Sequence, residues 1–138
     1  MSFSALPYVG LPFVRREDGR EGFECWSLVA SVYHDVAGIE LPSYGEIAAK
    51  DLSAVARAFD EGMTGETWLA TPRPRALDVV VMRVREKGLG NRNRHCGVMV
   101  DEARMLHLEA NTNSVVVPVT HGSVMFRIVG FFRYRDLA

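Results

Sequence analysis

The sequence predicts a single α+β domain over residues 1–138, with N-terminal helices packed on an antiparallel sheet of about five strands. Two observations predict it. Apolar residues recur at helical spacing over residues 25–37. From Leu77 onward the pattern changes to short β-branched runs separated by turn residues. Helices first and a meander second is the order of an α+β domain.

Taken in chain order, residues 8–24 read as a loop rich in glycine and charge. Trp26, Val29, Tyr33 and Val36 then follow i, i+3/i+4 spacing, with Leu28 and Val32 beside them. This helix spans 25–37, Gly38 ends it, and Pro42 forbids an early restart. A weaker helical pattern covers 44–62, with Ile47, Leu52, Val55, Ala56 and Phe59 on its apolar side and Ser53 as a possible internal N-cap. Thr64 to Arg75 reads as loop, punctuated by Pro72 and Pro74. Strands are expected over Leu77–Val84, His95–Val100, Met105–Ala110, Ser114–Val119 and Val124–Tyr134, with a glycine-containing loop at Arg85–Arg94.

The chain has 138 residues, 48% hydrophobic and 24% charged, with a net charge of −1. That is the size and composition of one soluble core. A near-neutral chain has no global field to draw it to nucleic acid or an anionic membrane. No apolar run approaches the ~20 residues of a membrane span. The N-terminal residues lack the basic region of a signal peptide, so export by a cleaved signal is not expected. Two cysteines are too few for a disulfide framework. Both are expected free, with Cys96 a small buried core thiol.

The chemistry centres on Cys25. It lies where a glycine-containing loop meets the helical pattern, so its thiol heads a helix, where unpaired N–H groups and the helix dipole favour thiolate. His95 and His107 lie in successive predicted strands. They are twelve residues apart, an even number. A hairpin with an odd-length loop places both imidazoles on one face. Centred on Asp101 it sets them directly opposite; centred on Glu102 it sets them diagonally. Cysteine, histidine and an orienting polar group are the components of a cysteine nucleophile enzyme. Asn111 and Asn113 are alternative orienting groups. Cys25, His95 and His107 are also sulfur and nitrogen donors, but no second cysteine pair has ligand spacing, so no metal or other cofactor is expected. His34 and His121 have no motif partners and read as surface residues. Trp68 is equally compatible with a groove wall, a docking anchor or the core.

The motifs together resemble the NlpC family of papain-like cell-wall cysteine peptidases, in particular its phage-tail members. Tyr8-Val9-Gly10-Leu11-Pro12 is similar to the family's aromatic-x-Gly-x-Pro opening. Glu24-Cys25-Trp26-Ser27-Leu28-Val29 is similar to its Asp-Cys-x-Gly-Leu-Val. Pro74 to Val80 resembles its first core strand, His95-Cys96-Gly97-Val98-Met99-Val100 its His-x-Gly strand, and Met105-Leu106-His107 its third catalytic position. The tryptophan after the cysteine, and Gly38-Ile39-Glu40-Leu41-Pro42-Ser43-Tyr44, resemble the tail-associated branch. The sequence departs from the pattern at Glu24, Ser27 and Phe13. Phe13 stands where the family has a tyrosine whose hydroxyl lies near the nucleophile.

The resemblance implies a papain-like fold, with Cys25 as nucleophile, His95 as its partner and His107 as the orienting residue. Phe13, Trp26 and Ser27 are expected at the substrate. The implied substrate is an amide bond of peptidoglycan stem peptides, between γ-D-glutamyl and diaminopimelate or lysine. The expected partners are tail-tip proteins of a phage or phage-derived particle, which would carry the enzyme to the wall without a signal peptide. The stretches Glu61–Arg75 and Arg83–Arg94 are the expected docking surfaces, through Trp68 or the arginines. The alternatives are an N-acetylmuramoyl-L-alanine amidase or acyltransferase using the same site, or an inactive structural component of a tail tip.

Overall fold

The computed structural model describes residues 2–14, 25–41, 68–86, 90–109 and 112–138; of residues 84–86 and 90–94 it describes the backbone alone. The helical pattern at 44–62, Glu24, Asn111 and residues 61–67 of the expected docking stretch Glu61–Arg75 lie outside the described residues, as do the side chains of Arg85, Lys87, Arg92 and Arg94.

One helix, α1 (Cys25–Val32), continues into a π turn at Tyr33–Ala37. The turn closes on Gly38, whose φ of +67° is the left-handed conformation glycine adopts freely. The helix buries Trp26, Leu28, Val29 and Val32, and the π turn adds Tyr33. Each such burial is worth roughly 1.5–3 kcal/mol, so packing rather than propensity fixes this short helix.

Six strands follow: β1 (Trp68–Thr71), β2 (Val79–Glu86), β3 (Gly90–Met99), β4 (Arg104–His107), β5 (Val115–Pro118) and β6 (Ile128–Tyr134). They form one antiparallel sheet in the order β1-β6-β2-β3-β4-β5. The α+β expectation holds, with six strands among the described residues rather than about five. The added strand is β1, in the segment read as loop. It has only four residues before Pro72, too few to show an alternation, and its stability comes from pairing with β6.

Trp68 belongs to the core, at 3% exposure. Its ring meets Tyr134 edge-on at 5.3 Å, Tyr33 at 5.9 Å and Trp26 at 6.2 Å. The expectation that Trp68 anchors a partner is therefore corrected: its surface is already spent on α1 and β6. Alternate residues of β2 and β3 divide between two clusters. Val79, Val81, Cys96 and Val98 pack with α1. Val80, Met82, Met99, Met105 and Val124 pack on the opposite face.

Two contacts secure the entry to the sheet. Leu77 has a φ of +75° and accepts a hydrogen bond at its carbonyl from the Tyr33 hydroxyl. Asp78, 1% exposed, receives Arg133 of β6 in a bidentate pair at 2.9 and 2.8 Å, and the Arg75 N–H at 2.8 Å.

Candidate active site

Cys25 is the first residue of α1 and is half-buried. Its thiol is held well below the ordinary thiol range. The largest cause is a hydrogen bond from the Cys96 side chain; a hydrogen bond to His95 and the charge of that imidazole add to it, against the opposing effect of burial. Burial, with the Cys25 charge, pushes the Cys96 thiol in the opposite direction, well up. Cys96 thus stays protonated and donates S–H to the Cys25 thiolate. Cys96 is a core thiol as expected, with 0% exposure, but it is also a partner of the nucleophile.

Cys25 is influenced by two consecutive residues of β3, His95 and Cys96. Alternation along β3 puts these two side chains on opposite faces. However, Met82 pairs with His95 while Arg83 pairs with Asn93, so β3 carries one extra residue, Arg94, immediately before His95. A β-bulge increases local twist and re-aims neighbouring side chains. The bulge adjoins His95, whose imidazole acts with the Cys96 side chain to lower the Cys25 thiol.

His95 and His107 are 4% and 6% exposed. The hairpin joining them is centred on Glu102: Met99 pairs with Met105, Val98 with Leu106 and Gly97 with His107. Of the two registers open in the sequence, the diagonal one is realised. Nε2 of His95 lies 2.9 Å from Nδ1 of His107. Burial and the neighbouring His95 charge push His107 down to about 4, so near neutral pH it is an uncharged acceptor. His95 therefore donates Nε2–H to His107 and keeps Nδ1 for Cys25.

Gly97 makes this approach possible. A Cβ on Gly97 would lie 2.8 Å from the Leu106 carbonyl oxygen and 3.0 Å from Cβ of His107. Any larger residue would push β4 away and open the imidazole pair.

A residue that sequence reasoning missed completes the cluster. Oε1 of Glu109 lies 3.8 Å from Nε2 of His95 and 4.0 Å from Nδ1 of His107. Burial pushes its carboxyl up, but Arg127 and the imidazole charges outweigh this and hold it below the ordinary carboxylate range. NH2 of Arg127 is 2.5 Å from Oε1, an ion pair set off the hydrogen-bonding axis, so this buried oxygen makes no aligned hydrogen bond. Glu109 stands two residues after His107, and that period-2 spacing was its one legible signal.

Other expected residues lie elsewhere. Trp26 is 8% exposed and packs in the core beside Trp68. The helix turns it inward, while Ser27, the next residue, is exposed. Phe13 is half-buried against the same core. Its strand-like segment pairs with residues 112–114: Pro12 bridges Asn113, Phe13 N–H donates to the Thr112 carbonyl at 3.1 Å, and Leu11 N–H donates to Ser114 Oγ at 2.8 Å. Asn113 is an exposed part of that bridge, and His107 is the residue hydrogen-bonded to His95. The Tyr8 hydroxyl donates to Asp35 at 2.7 Å, tying the same segment to the π turn. His34 and His121 are exposed; His34 contacts Glu40 and His121 contacts Ser123.

The sequence profile of the NlpC/P60 family matches residues 10–131. The chain belongs to the NlpC/P60 family. This is a family of cysteine peptidases that act on peptidoglycan. Comparison with curated proteins finds no match. Among solved structures, the chain is similar to an NLP/P60 protein from Staphylococcus aureus described as similar to lipoprotein, with 22% identity and a TM-score of 0.59 over 94% of this chain and 38% of that one. An NlpC/P60 protein from Bacillus cereus gives 16% identity and 0.59 over 97% and 41%. The NlpC/p60 domain of the peptidoglycan hydrolase SagA gives 18% and 0.53 over 94% and 92%. At these identities the likeness shows the shared fold. The chain spans about two-fifths of the first two proteins and nearly all of the SagA domain.

Proposed function

We propose that this NlpC/P60 chain hydrolyses an amide bond in peptidoglycan stem peptides by a Cys25-His95-His107 thiol mechanism. The observation that carries the reading is the buried 2.9 Å hydrogen bond between His95 and His107 beside a cysteine that heads a helix. The Cys25 thiolate attacks the carbonyl carbon. The first N–H groups of a helix are available to developing negative charge, and one such donor is typically worth about 3 kcal/mol in the transition state. His95, positively charged through Nδ1–H, protonates the leaving amine and leaves a thioester on Cys25. His95 then takes a proton from water, which attacks the thioester and frees the acid and the thiolate. His107, uncharged, holds His95 in the tautomer each step needs.

The finer reading has two parts. The first, the bond between γ-D-glutamyl and diaminopimelate or lysine, is supported by the motifs around Cys25 and His95 and by the likeness to a peptidoglycan hydrolase domain. The second, delivery by a phage or phage-derived tail, is supported by the Trp26 and Gly38–Tyr44 sequence pattern. Among the described residues no helix is long and apolar enough to cross a membrane.

Digestion of purified sacculi, with mass spectrometry of the products, tests the activity. Wild type should release fragments with a new amino terminus on diaminopimelate or lysine, and Cys25→Ser should release none. Products with a freed lactyl group would establish an amidase instead. Equal lysis by both proteins would remove the enzymatic reading. For delivery, mass spectrometry of purified particles should find the chain; its presence only in the host cytoplasm would refute tail association.

A further inference from the structure

The proton shared by the two histidines lies beside a third donor atom. His95 Nε2, His107 Nδ1 and Glu109 Oε1 all lie within 4.8 Å of one another. Their separations are 2.9, 3.8 and 4.0 Å. A triangle with those sides has a circumradius of about 2.1 Å, so one point lies a Zn–N or Zn–O bond length from all three atoms. Two neutral imidazoles and a carboxylate are a borderline-soft donor set suited to zinc-class ions. The Glu109 oxygen is buried and already faces a positive charge, the Arg127 guanidinium at 2.5 Å, whose place the ion would take.

We propose that His95, His107 and Glu109 form a site for a divalent zinc-class ion, with water as fourth ligand, whose occupancy switches the hydrolase off. The site lies on the Nε2 side of His95, and Cys25 lies on the Nδ1 side. The ion therefore replaces the Nε2 proton, which leaves to solvent, and Cys25 takes no part in binding. Metallated His95 no longer reaches the imidazolium form that protonates the leaving amine. Arg127 competes with the ion for Glu109. The guanidinium is planar and rigid, so to release Glu109 the whole group, 27% exposed, must swing outward and give up the bonds that Nε and NH1 make to the Arg83 and Ser123 carbonyls at 3.0 and 3.2 Å.

The inhibition rests on the hydrolase reading; the binding does not. Isothermal titration of the full chain with zinc chloride, and visible absorption with cobalt chloride, report binding directly. One ion should bind wild type. Glu109→Gln should weaken binding roughly tenfold or more, Arg127→Met should strengthen it, and Cys25→Ser should leave it unchanged without a sulfur-to-cobalt charge-transfer band in any protein. No binding to wild type would overturn the proposal. So would binding lost in Cys25→Ser but kept in Glu109→Gln, the signature of an ordinary cysteine–histidine metal adduct. If Glu109→Gln fails to fold, the Cys25→Ser and Arg127→Met results still decide. Binding without loss of sacculus hydrolysis would refute the switch while leaving the hydrolase reading intact.

Discussion

At the scale of single residues, the Cys25 thiol depends on Cys96, a residue of β3 distant from it in sequence. Cys96 is the largest influence lowering the Cys25 thiol, so Cys96→Ala should shift the pH curve of Cys25 alkylation upward while the fold persists. An unmoved curve would mean the helix terminus and His95 suffice. Gly97→Ala places a methyl against the Leu106 carbonyl; overpacking of this kind costs about 1–3 kcal/mol. Hydrolysis of sacculi should fall much further than that stability loss implies, because the strain is relieved by moving His107. The placement of Cys25 at the head of α1 and the pairing of His95 with His107 were legible as residue types and spacings. Cys96 was assigned to the core by strict alternation, and the bulge at Arg94 is a three-dimensional irregularity that alternation does not contain. Arg127 had no legible signal, since its place beside Glu109 comes from a turn eighteen residues further along the chain.

Among elements, β4 sets the chemistry by burying His107. An uncharged buried imidazole makes stability depend on pH. The folded protein holds His107 near 4, below the ordinary 6.5, so the unfolded chain binds the proton more readily. Stability is full above 6.5, falls as pH drops toward 4, and loses about 3 kcal/mol across that window. Thermal melts at a series of pH values should show this slope, and His107→Gln should flatten it. On the other side of the sheet, β2 and β6 are joined by Asp78 and Arg133. Removing one partner of a buried pair leaves an uncompensated charge, so Arg133→Met should cost about 3–5 kcal/mol in denaturant unfolding. The hairpin β3–β4 could be read from the even spacing of its histidines, although parity alone left two registers open; the pairing of Gly97 with His107 chooses between them. β1 was hidden because four residues ended by a proline carry no periodicity of their own.

For the whole molecule, the fold joins three separate stretches of chain: the start of α1, the bulged middle of β3, and the end of β4 with Glu109. The class of the fold was visible in the switch from helical to alternating periodicity. The extra edge strand and the aromatic cluster of Trp26, Tyr33, Trp68 and Tyr134 were not, because both depend on contacts across distant segments. The central claim is that this convergence couples Cys25 to His95. The most direct test is the alkylation rate of Cys25 as a function of pH, resolved from Cys96 by peptide mass spectrometry, in wild type and His95→Ala. Wild-type Cys25 should titrate below the ~8.5 of a free thiol, with Cys96 unreactive, and His95→Ala should move the curve to higher pH. Superimposed curves would contradict the coupling and the mechanism built on it.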